Sequence, residues 1–244
     1  MSGYFTGESE SPCPYIKGEV FRSESYVLDD VGEDEIDILL SRGYRHFGRY
    51  FFRPVCRTCH KCLPIRIPLR SYRFSRNAKR LFRKNRGFDI RIIDAPSPGE
   101  EHFNLYRKHK LRFPEEDDHA ETFETFAEAF FTNHVFSKTM EIRDSGKLVA
   151  VTHLDWGRNS VSAVYCYYDT DYLEHSPGRF SIYKGMELAS AYEKEYYYLG
   201  YYIKDNPHMS YKGDYRPHEI LLEENNWIED TGEEYGFKPR FRLF

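Results

Sequence analysis

Apolar and polar positions along this chain follow two rhythms, and each predicts its own elements. Over residues 34–42, Ile36, Leu39 and Leu40 fall at i, i+3 and i+4, and Gly43 stands where such a helix stops. Over 75–85 the helical rhythm returns. Ser75 is placed as an N-cap, Ala78, Leu81 and Phe82 form an apolar stripe, and Arg76, Lys79, Arg80, Arg83 and Lys84 fill the remaining face. Between these helices, residues 44–53 alternate aromatic and basic side chains and read as extended. Residues 65–69 alternate like a strand, and Pro68, with no N–H to give a ladder, predicts an edge position. Nearer the start, prolines on both sides of Cys13 make residues 11–15 a rigid turn that excludes helix, with short apolar alternations at 20–21 and 26–28.

The strand rhythm reappears at 88–93, and Ala95-Pro96-Ser97-Pro98-Gly99 then reads as a linker dividing 1–98 from 99–244. Beyond it the periodicity predicts helices over 101–112 and 119–136. Strands at 139–143, 148–156 and 160–168 follow, separated by Asp144-Ser145-Gly146-Lys147 and Gly157-Arg158-Asn159, both hairpin chemistry. A helix over 181–195 comes next, then a strand over 197–203 and a loop over 204–217. Helices, an antiparallel meander, a helix and another strand make an α+β order that matches the acetyltransferase-like (GNAT) fold. An acetyl-CoA enzyme of that fold needs Q/R-x-x-G-x-G/A before the last helix, to offer backbone N–H groups to pyrophosphate. Residues 174–181 read Glu-His-Ser-Pro-Gly-Arg-Phe-Ser and lack the second glycine, which disfavours a small-molecule N-acetyltransferase. No GxxxxGK[ST], HExxH or GxSxG motif occurs.

Charge changes the picture more than composition does. Residues 42–92 hold 16 Lys or Arg against one acid, Asp89, a net of +15, so the rest of the chain carries −19 to reach the total of −4. An ordinary solvated face mixes signs, whereas this one is a cationic surface of the kind that neutralises nucleic-acid phosphates. Arg76, Lys79, Arg80 and Arg83 lie along one side of the predicted helix as a rail, and the acidic remainder repels RNA elsewhere. No apolar run approaches the roughly 20 residues that span a bilayer, and the first residues show neither a basic start nor an apolar stretch. No export signal or membrane contact is expected, and the chain reads as a cytoplasmic monomer.

Cys56, Cys59 and Cys62 follow a C-x-x-C-x-x-C spacing that small apolar packing does not require. With five cysteines in all, an odd number, a disulfide framework is not the reading; metal or cluster binding is. His60 is one source of a fourth ligand, whereas Cys166, in a predicted strand, reads as core. His153 and Asp155, two apart on a strand, point to one face and read as a structural pair.

Motifs at both ends of the chain then identify a relative. Pro12-Cys13-Pro14-Tyr15, Gly43-Tyr44-Arg45, Arg53-Pro54 with the three cysteines, Pro64-Ile65-Arg66-Ile67 and Phe74-Ser75-Arg76 occur in that order. They are followed by Tyr198-Leu199-Gly200-Tyr201-Tyr202-Ile203, Met209-Ser210-Tyr211-Lys212 and Tyr215-Arg216-Pro217-His218-Glu219. In this order the chain resembles the aminoacyl-tRNA–protein transferases of the arginyltransferase type, most of all the bacterial aspartate/glutamate leucyltransferases. The resemblance implies transfer of an aminoacyl group from charged tRNA to the α-amine of proteins that begin with Asp or Glu, which then enter the N-degron pathway. It implies a GNAT-like core behind a cysteine-bearing N-terminal domain, with Cys13 as a fourth ligand beside Cys56, Cys59 and Cys62 for zinc or an iron–sulfur cluster. Ser75-Arg76-Asn77-Ala78-Lys79-Arg80 stands where the bacterial pattern reads Ser-Arg-Ser-Gln-Arg-Arg, and Tyr201-Tyr202-Ile203 where it reads Tyr-Trp-Ile. The donor, Leu or Arg, therefore stays open, with leucine preferred, and a tRNA-binding regulator without transfer activity is the rival.

An amine attacking an activated ester needs positioning, oxyanion stabilisation and an outlet for a proton, and no cofactor. Tyr211, Lys212, Arg216 and Glu219 are the candidate catalytic set, with Tyr211 on the carbonyl oxygen and Lys212 and Arg216 on the acidic side chain or the tRNA 3′ end. Arg66 and Tyr15 are candidates for the peptide pocket.

Overall fold

The protein, seen in a computed structural model, is described over residues 1–113, 122–132 and 134–232. A small antiparallel sheet comes first, built of β1 (Ser2–Pro12), β2 (Val20–Asp29), β3 (Arg45–Phe47) and β4 (Tyr50–Pro54) in the order β1-β2-β4-β3. Its strands are interrupted by α1 (Glu33–Ser41), which ends as Gly43 predicts. Gly43, at φ +81°, donates to Leu40 O and Tyr44 donates to Leu39 O, a Schellman close that only glycine adopts without strain. Residues 44–53, expected to be extended, fold as the β3–β4 hairpin. β1 had no signal in the sequence because it has no apolar face. Its side chains are mostly exposed, and it is held by backbone pairing to β2 and by Arg22 bridging Glu8 and Glu10.

The second sheet has eight strands. In chain order these are β5 (Leu63–Pro68), β6 (Asp89–Asp94), β7 (Ser137–Asp144), β8 (Lys147–Trp156), β9 (Ser160–Tyr168), β10 (Tyr196–Tyr202), β11 (Glu219–Glu223) and β12 (Asn226–Glu229). In space they run β12-β11-β5-β10-β9-β8-β7-β6. β5 is therefore central, not an edge strand. Pro68 is tolerated because β11 pairs with β5 only at Ile65 and Arg66, so the proline lies beyond that ladder. β5 and β6 both precede residue 98 and both belong to the sheet that the later strands form. The Ser145–Gly146 turn between β7 and β8 has positive φ at both residues, as a two-residue hairpin demands.

Helices cover both faces. α2 (Arg76–Lys84) is capped by Ser75, whose side chain accepts from Ala78 N, and it packs with α5 (Pro177–Ala191). α3 (Glu100–Lys110) and α4 (Phe123–Phe130) pack on Leu148, Val151 and Tyr167 of the opposite face. The helix expected over 119–136 is shorter: its first residues lie outside the described ones, and the chain leaves helix at Phe131. α5 begins a turn earlier than its apolar stripe suggests, because Pro177 occupies the first helical position, where a missing N–H costs nothing. α5 is also the crossover that makes β9 and β10 parallel, in a sheet whose other pairings are antiparallel. An antiparallel meander, a helical crossover and a parallel strand are the GNAT-like α+β arrangement expected from the element order.

Gly185 of α5 sits over the buried ring of Tyr197, and a methyl there would lie 2.1 Å from the hydroxyl oxygen, which has no hydrogen-bond partner. Gly185→Ala is expected to destabilise the fold by about 1–3 kcal/mol, read as a lowered Tm in thermal unfolding. Adding Tyr197→Phe removes the shortest contact and should restore part of it, the ring carbons still lying 2.8 and 3.0 Å away, and a double variant as unstable as the single would contradict this account of the contact.

Candidate functional site

β9 and β10 pair over only three positions, Ser160 with Tyr196, Val161 with Tyr197 and Ser162 with Tyr198, and then part. At the parting point β10 bulges: its register against β5 shifts between Tyr198 and Gly200, and Gly200 takes φ +80°. Beyond Ser162, β9 remains paired with β8, but on its other side it has no strand to bond, and carbonyls turned to that side must find another donor. Arg45, reaching from β3 of the small sheet, supplies it. Its guanidinium donates to Ser162 Oγ at 2.8 Å, Ala163 O at 2.8 Å and Val164 O at 2.9 Å. Gly200 makes room, since a methyl there would come within 3.2 Å of the guanidinium carbon.

Lys212, on a short 3-10 turn (Ser210–Asp214), closes the cluster from the C-terminal side. Its ammonium is buried and donates to Tyr201 O at 2.8 Å and Met209 Sδ at 3.5 Å. Burial first, and Arg45 beside it second, pull the Lys212 pKa down to about 7. No ion pair joins Arg45 or Lys212 to an acid among the described residues. Half-buried Arg45 and buried Lys212 thus stand side by side with no carboxylate paired to either among the described residues. Tyr15 and Cys62 border the same corner: burial and then Cys62 push the Tyr15 phenol up to about 12. Tyr211 lies near Cys166 and Tyr168 of β9, with its phenol pushed up to about 12, mainly by burial. It therefore stays a hydrogen-bond donor.

The four N-terminal cysteines gather beside this corner. Burial first, and then its neighbours Cys56, Cys13 and Cys59, raise the Cys62 thiol to about 12. Cys56 Sγ accepts from Arg22 N at 3.4 Å. His60 lies within the same motif, but no three His, Cys, Asp or Glu side chains among the described residues are grouped so as to hold a metal ion. Burial raises the Cys56 thiol as well.

Other expected residues are engaged elsewhere. Arg66 pairs with Glu219 at 2.7 Å, and its guanidinium lies between the rings of Tyr196 at 3.7 Å and Trp227 at 4.2 Å. Arg216 donates to Asp230 O at 2.6 Å, and Asp230 also holds the buried His218 at 2.8 Å. These three, Arg66, Arg216 and Glu219, lock β5, β11 and β12 together. His153 and Asp155 share no bond: Asp155 accepts from His46 at 2.8 Å, while His153 lies by Thr139 and Tyr167. Burial takes the His153 pKa down to about 3, so it is neutral. Sequence reading missed Arg45 as a site residue. It sits 117 positions before the serine it bonds, and its signals in the sequence were a basic residue among aromatics and a place in the Gly43-Tyr44-Arg45 motif.

α2 presents Arg76, Lys79, Arg80 and Arg83 to solvent, with Ala78 turned inward. Its C-terminal end is tied to the loop before α5. Asn85 Nδ2 donates to His175 O at 2.9 Å and Lys84 Nζ to Glu174 O at 2.8 Å. The rail therefore flanks the end of the sheet where β9 and β10 open. No helix among the described residues is long and apolar enough to cross a membrane.

Comparison with known proteins gives one consistent picture. Family models described as arginine-tRNA-protein transferase match residues 11–80 (N terminus) and 101–222 (C terminus). An aspartate/glutamate leucyltransferase of Campylobacter jejuni is 35% identical over 217 residues, 87% of this chain and 90% of the relative. Proteins of the same description from Pseudomonas fluorescens, 34% identical over 88% and 92%, and Methylobacillus flagellatus, 33% identical over 76% and 75%, are also similar. Among solved structures, FemX superposes at a TM-score of 0.47 with 10% identity, over 85% of this chain and 82% of that one.

The Lys212 shift has a measurable sign. Below about pH 7 native and unfolded chains both hold the proton, and burying the charge counts fully against the fold. From about 7 up to the ordinary 10.5 the native lysine has shed a proton that the unfolded chain still binds, so stability rises with pH. Urea unfolding should therefore show a gain in stability between pH 7 and pH 9.5, most of which Lys212→Met removes. An undiminished gain in the variant would assign it to other groups.

Proposed function

This chain belongs to the arginine-tRNA-protein transferase family, and from that premise we propose how it moves a leucyl group from tRNA to proteins that begin with Asp or Glu. The single observation that carries the residue assignment is the half-buried Arg45 beside the buried Lys212, unmatched by any acid among the described residues where β9 and β10 part. An acceptor with an acidic first residue brings the missing carboxylate, and its α-amine enters beside it. The opening between the strands takes the aminoacyl ester.

The amine nitrogen attacks the ester carbonyl, a C–N bond forms, and negative charge develops on the former carbonyl oxygen. Tyr211, held as a phenol, donates to that oxyanion. Collapse breaks the ester C–O bond, and the proton lost by the amine ends on the ribose hydroxyl of the departing tRNA. The ester is already activated, so alignment dominates and no cofactor is consumed. Arg76, Lys79, Arg80 and Arg83 of α2 track the tRNA phosphates beside the opening. The enzyme acts as a monomer in the cytoplasm, where charged tRNA is made, and its products enter N-degron degradation.

Purified protein mixed with labelled leucyl- or arginyl-tRNA and peptides beginning in Asp, Glu or Ala is expected to transfer leucine to the acidic peptides alone. Transfer from arginyl-tRNA only would make arginine the donor. Binding of tRNA without transfer from either would favour a non-catalytic RNA-binding role. Lys212→Met should raise the peptide KM at least tenfold while leaving the KM for leucyl-tRNA within about twofold. An unchanged peptide KM would remove Lys212 from the acceptor pocket. Replacing Arg76, Lys79 and Arg80 together with Ala should weaken tRNA binding and flatten its log–log salt dependence by about one unit for each phosphate no longer neutralised, without lowering Tm. Equal affinity at low salt would sink the rail.

A further inference from the structure

The β3–β4 hairpin has two unlike faces. His46 and Phe51 point inward, Phe51 fully buried in the cluster formed with α1. By strand alternation Arg45 and Phe47 of β3 share the other face with Tyr50 and Phe52 of β4, paired as Arg45 with Phe52 and Phe47 with Tyr50. Arg45 leads from that face into the opening between β9 and β10. The rings beside it form a stack. Phe47 lies 6.1 Å from Phe52 with planes inclined by 23°, and Tyr50 lies 6.0 Å from Phe52 with planes inclined by 27°.

This stack is not sealed. Phe47 and Tyr50 are each 40% exposed, although an aromatic pair on a small sheet ordinarily seeks cover. Towards the interior the strip continues: Phe47 meets Phe130 of α4 edge-on at 5.8 Å, and Phe130 lies 5.1 Å from Tyr165 on the stretch of β9 that has left β10. The backbone beneath is fixed, since Tyr201 of β10 donates to Gly43 O at 3.0 Å and Phe52 O at 3.4 Å, and Tyr50 donates to Ser25 Oγ at 2.6 Å. Open, near-parallel rings on a rigid strand suit flat ligands, and successive unpaired bases stack on such platforms whatever their sequence.

We infer that Phe47, Tyr50 and Phe52 form the platform on which the unpaired 3′ bases of the donor tRNA stack, delivering the aminoacyl ester to the opening guarded by Arg45. The inference rests on the transfer reaction proposed above and adds the means by which the donor end is held. It divides the labour of tRNA binding. α2 holds the backbone by charge, and the hairpin holds the terminal bases by ring contact, an attraction that salt screens little.

The test separates this inference from the reaction itself. A short single-stranded RNA ending in CCA, with 2-aminopurine as its last base, is titrated with the full-length protein and its fluorescence followed. Stacking is expected to quench the probe. Phe47→Ala should weaken its binding about 5- to 10-fold, the low end of the effect of removing one stacking ring. Phe47→Trp should restore the quench, while Phe47→Leu, apolar but without a π-face, should not. In the transfer assay Phe47→Ala should raise the KM for leucyl-tRNA with the peptide KM unchanged. Unquenched probe with normal transfer would overturn the platform and leave the reaction standing. Quenching that Phe47→Ala weakens, in a protein that transfers nothing, would uphold the platform and overturn the reaction. Rescue by Phe47→Leu, or a raised peptide KM in place of the tRNA KM, would overturn it in favour of a protein-facing surface.

Discussion

The molecule depends on a parallel pairing that stops early. After three shared positions β10 turns away from β9, and the carbonyls of Ala163 and Val164 are without the ladder that a longer pairing gives them. Left unbonded in the interior, each costs about 1–3 kcal/mol. Arg45 satisfies both and so fixes the small sheet against the large one. The same guanidinium places a permanent positive charge at the mouth of the opening. Structure and chemistry meet in one side chain there, and Lys212 deepens the effect by burying a second cation beside it.

Two kinds of positive charge are at work. On α2 the cations are exposed, screened by solvent and nearly neutral for stability, so under the proposed function they would act at a distance, drawing and orienting a polyanion. At the parting of β9 and β10 the positive groups are few and close, Lys212 buried and Arg45 half-buried, where a less polar surrounding strengthens each interaction. Under the same proposal the first kind would not tell one RNA from another, and the second would distinguish an acidic side chain from a neutral one.

Much of this was visible in the sequence, and what was hidden has a common cause. α1, α2, the β7–β8–β9 meander and β10 carry their own periodicity and turn chemistry, and they lie within a few residues of expectation. The segregated charge falls on α2, whose basic side chains are exposed, and the Tyr211-Lys212 motif falls on the turn beside the opening of β9 and β10. Arg45 could not be read, because its partners are over a hundred residues away and no local pattern records a carbonyl that a distant strand fails to bond. For the same reason Arg66, Arg216 and Glu219 looked available as isolated charges and proved to hold one another's strands. β5 seemed an edge strand because the proline argument is local, whereas its position is decided by the few residues that β11 contributes. β1 was invisible because its pairing is made by the backbone and by ions on a polar strand.

The order of strands in the large sheet has a further consequence, for synthesis. β5 leaves the ribosome early and must wait for β10 and β11, made more than a hundred residues later, before either of its edges is paired. β6, also early, closes the far end on β7. The first stretch to emerge is thus split across the finished sheet, with the later chain filling in between. Neither the leading nor the trailing half is a unit that can mature alone. The nascent chain must carry an unpaired apolar strand until β10 and β11 appear, an interval in which that strand is open to wrong pairings.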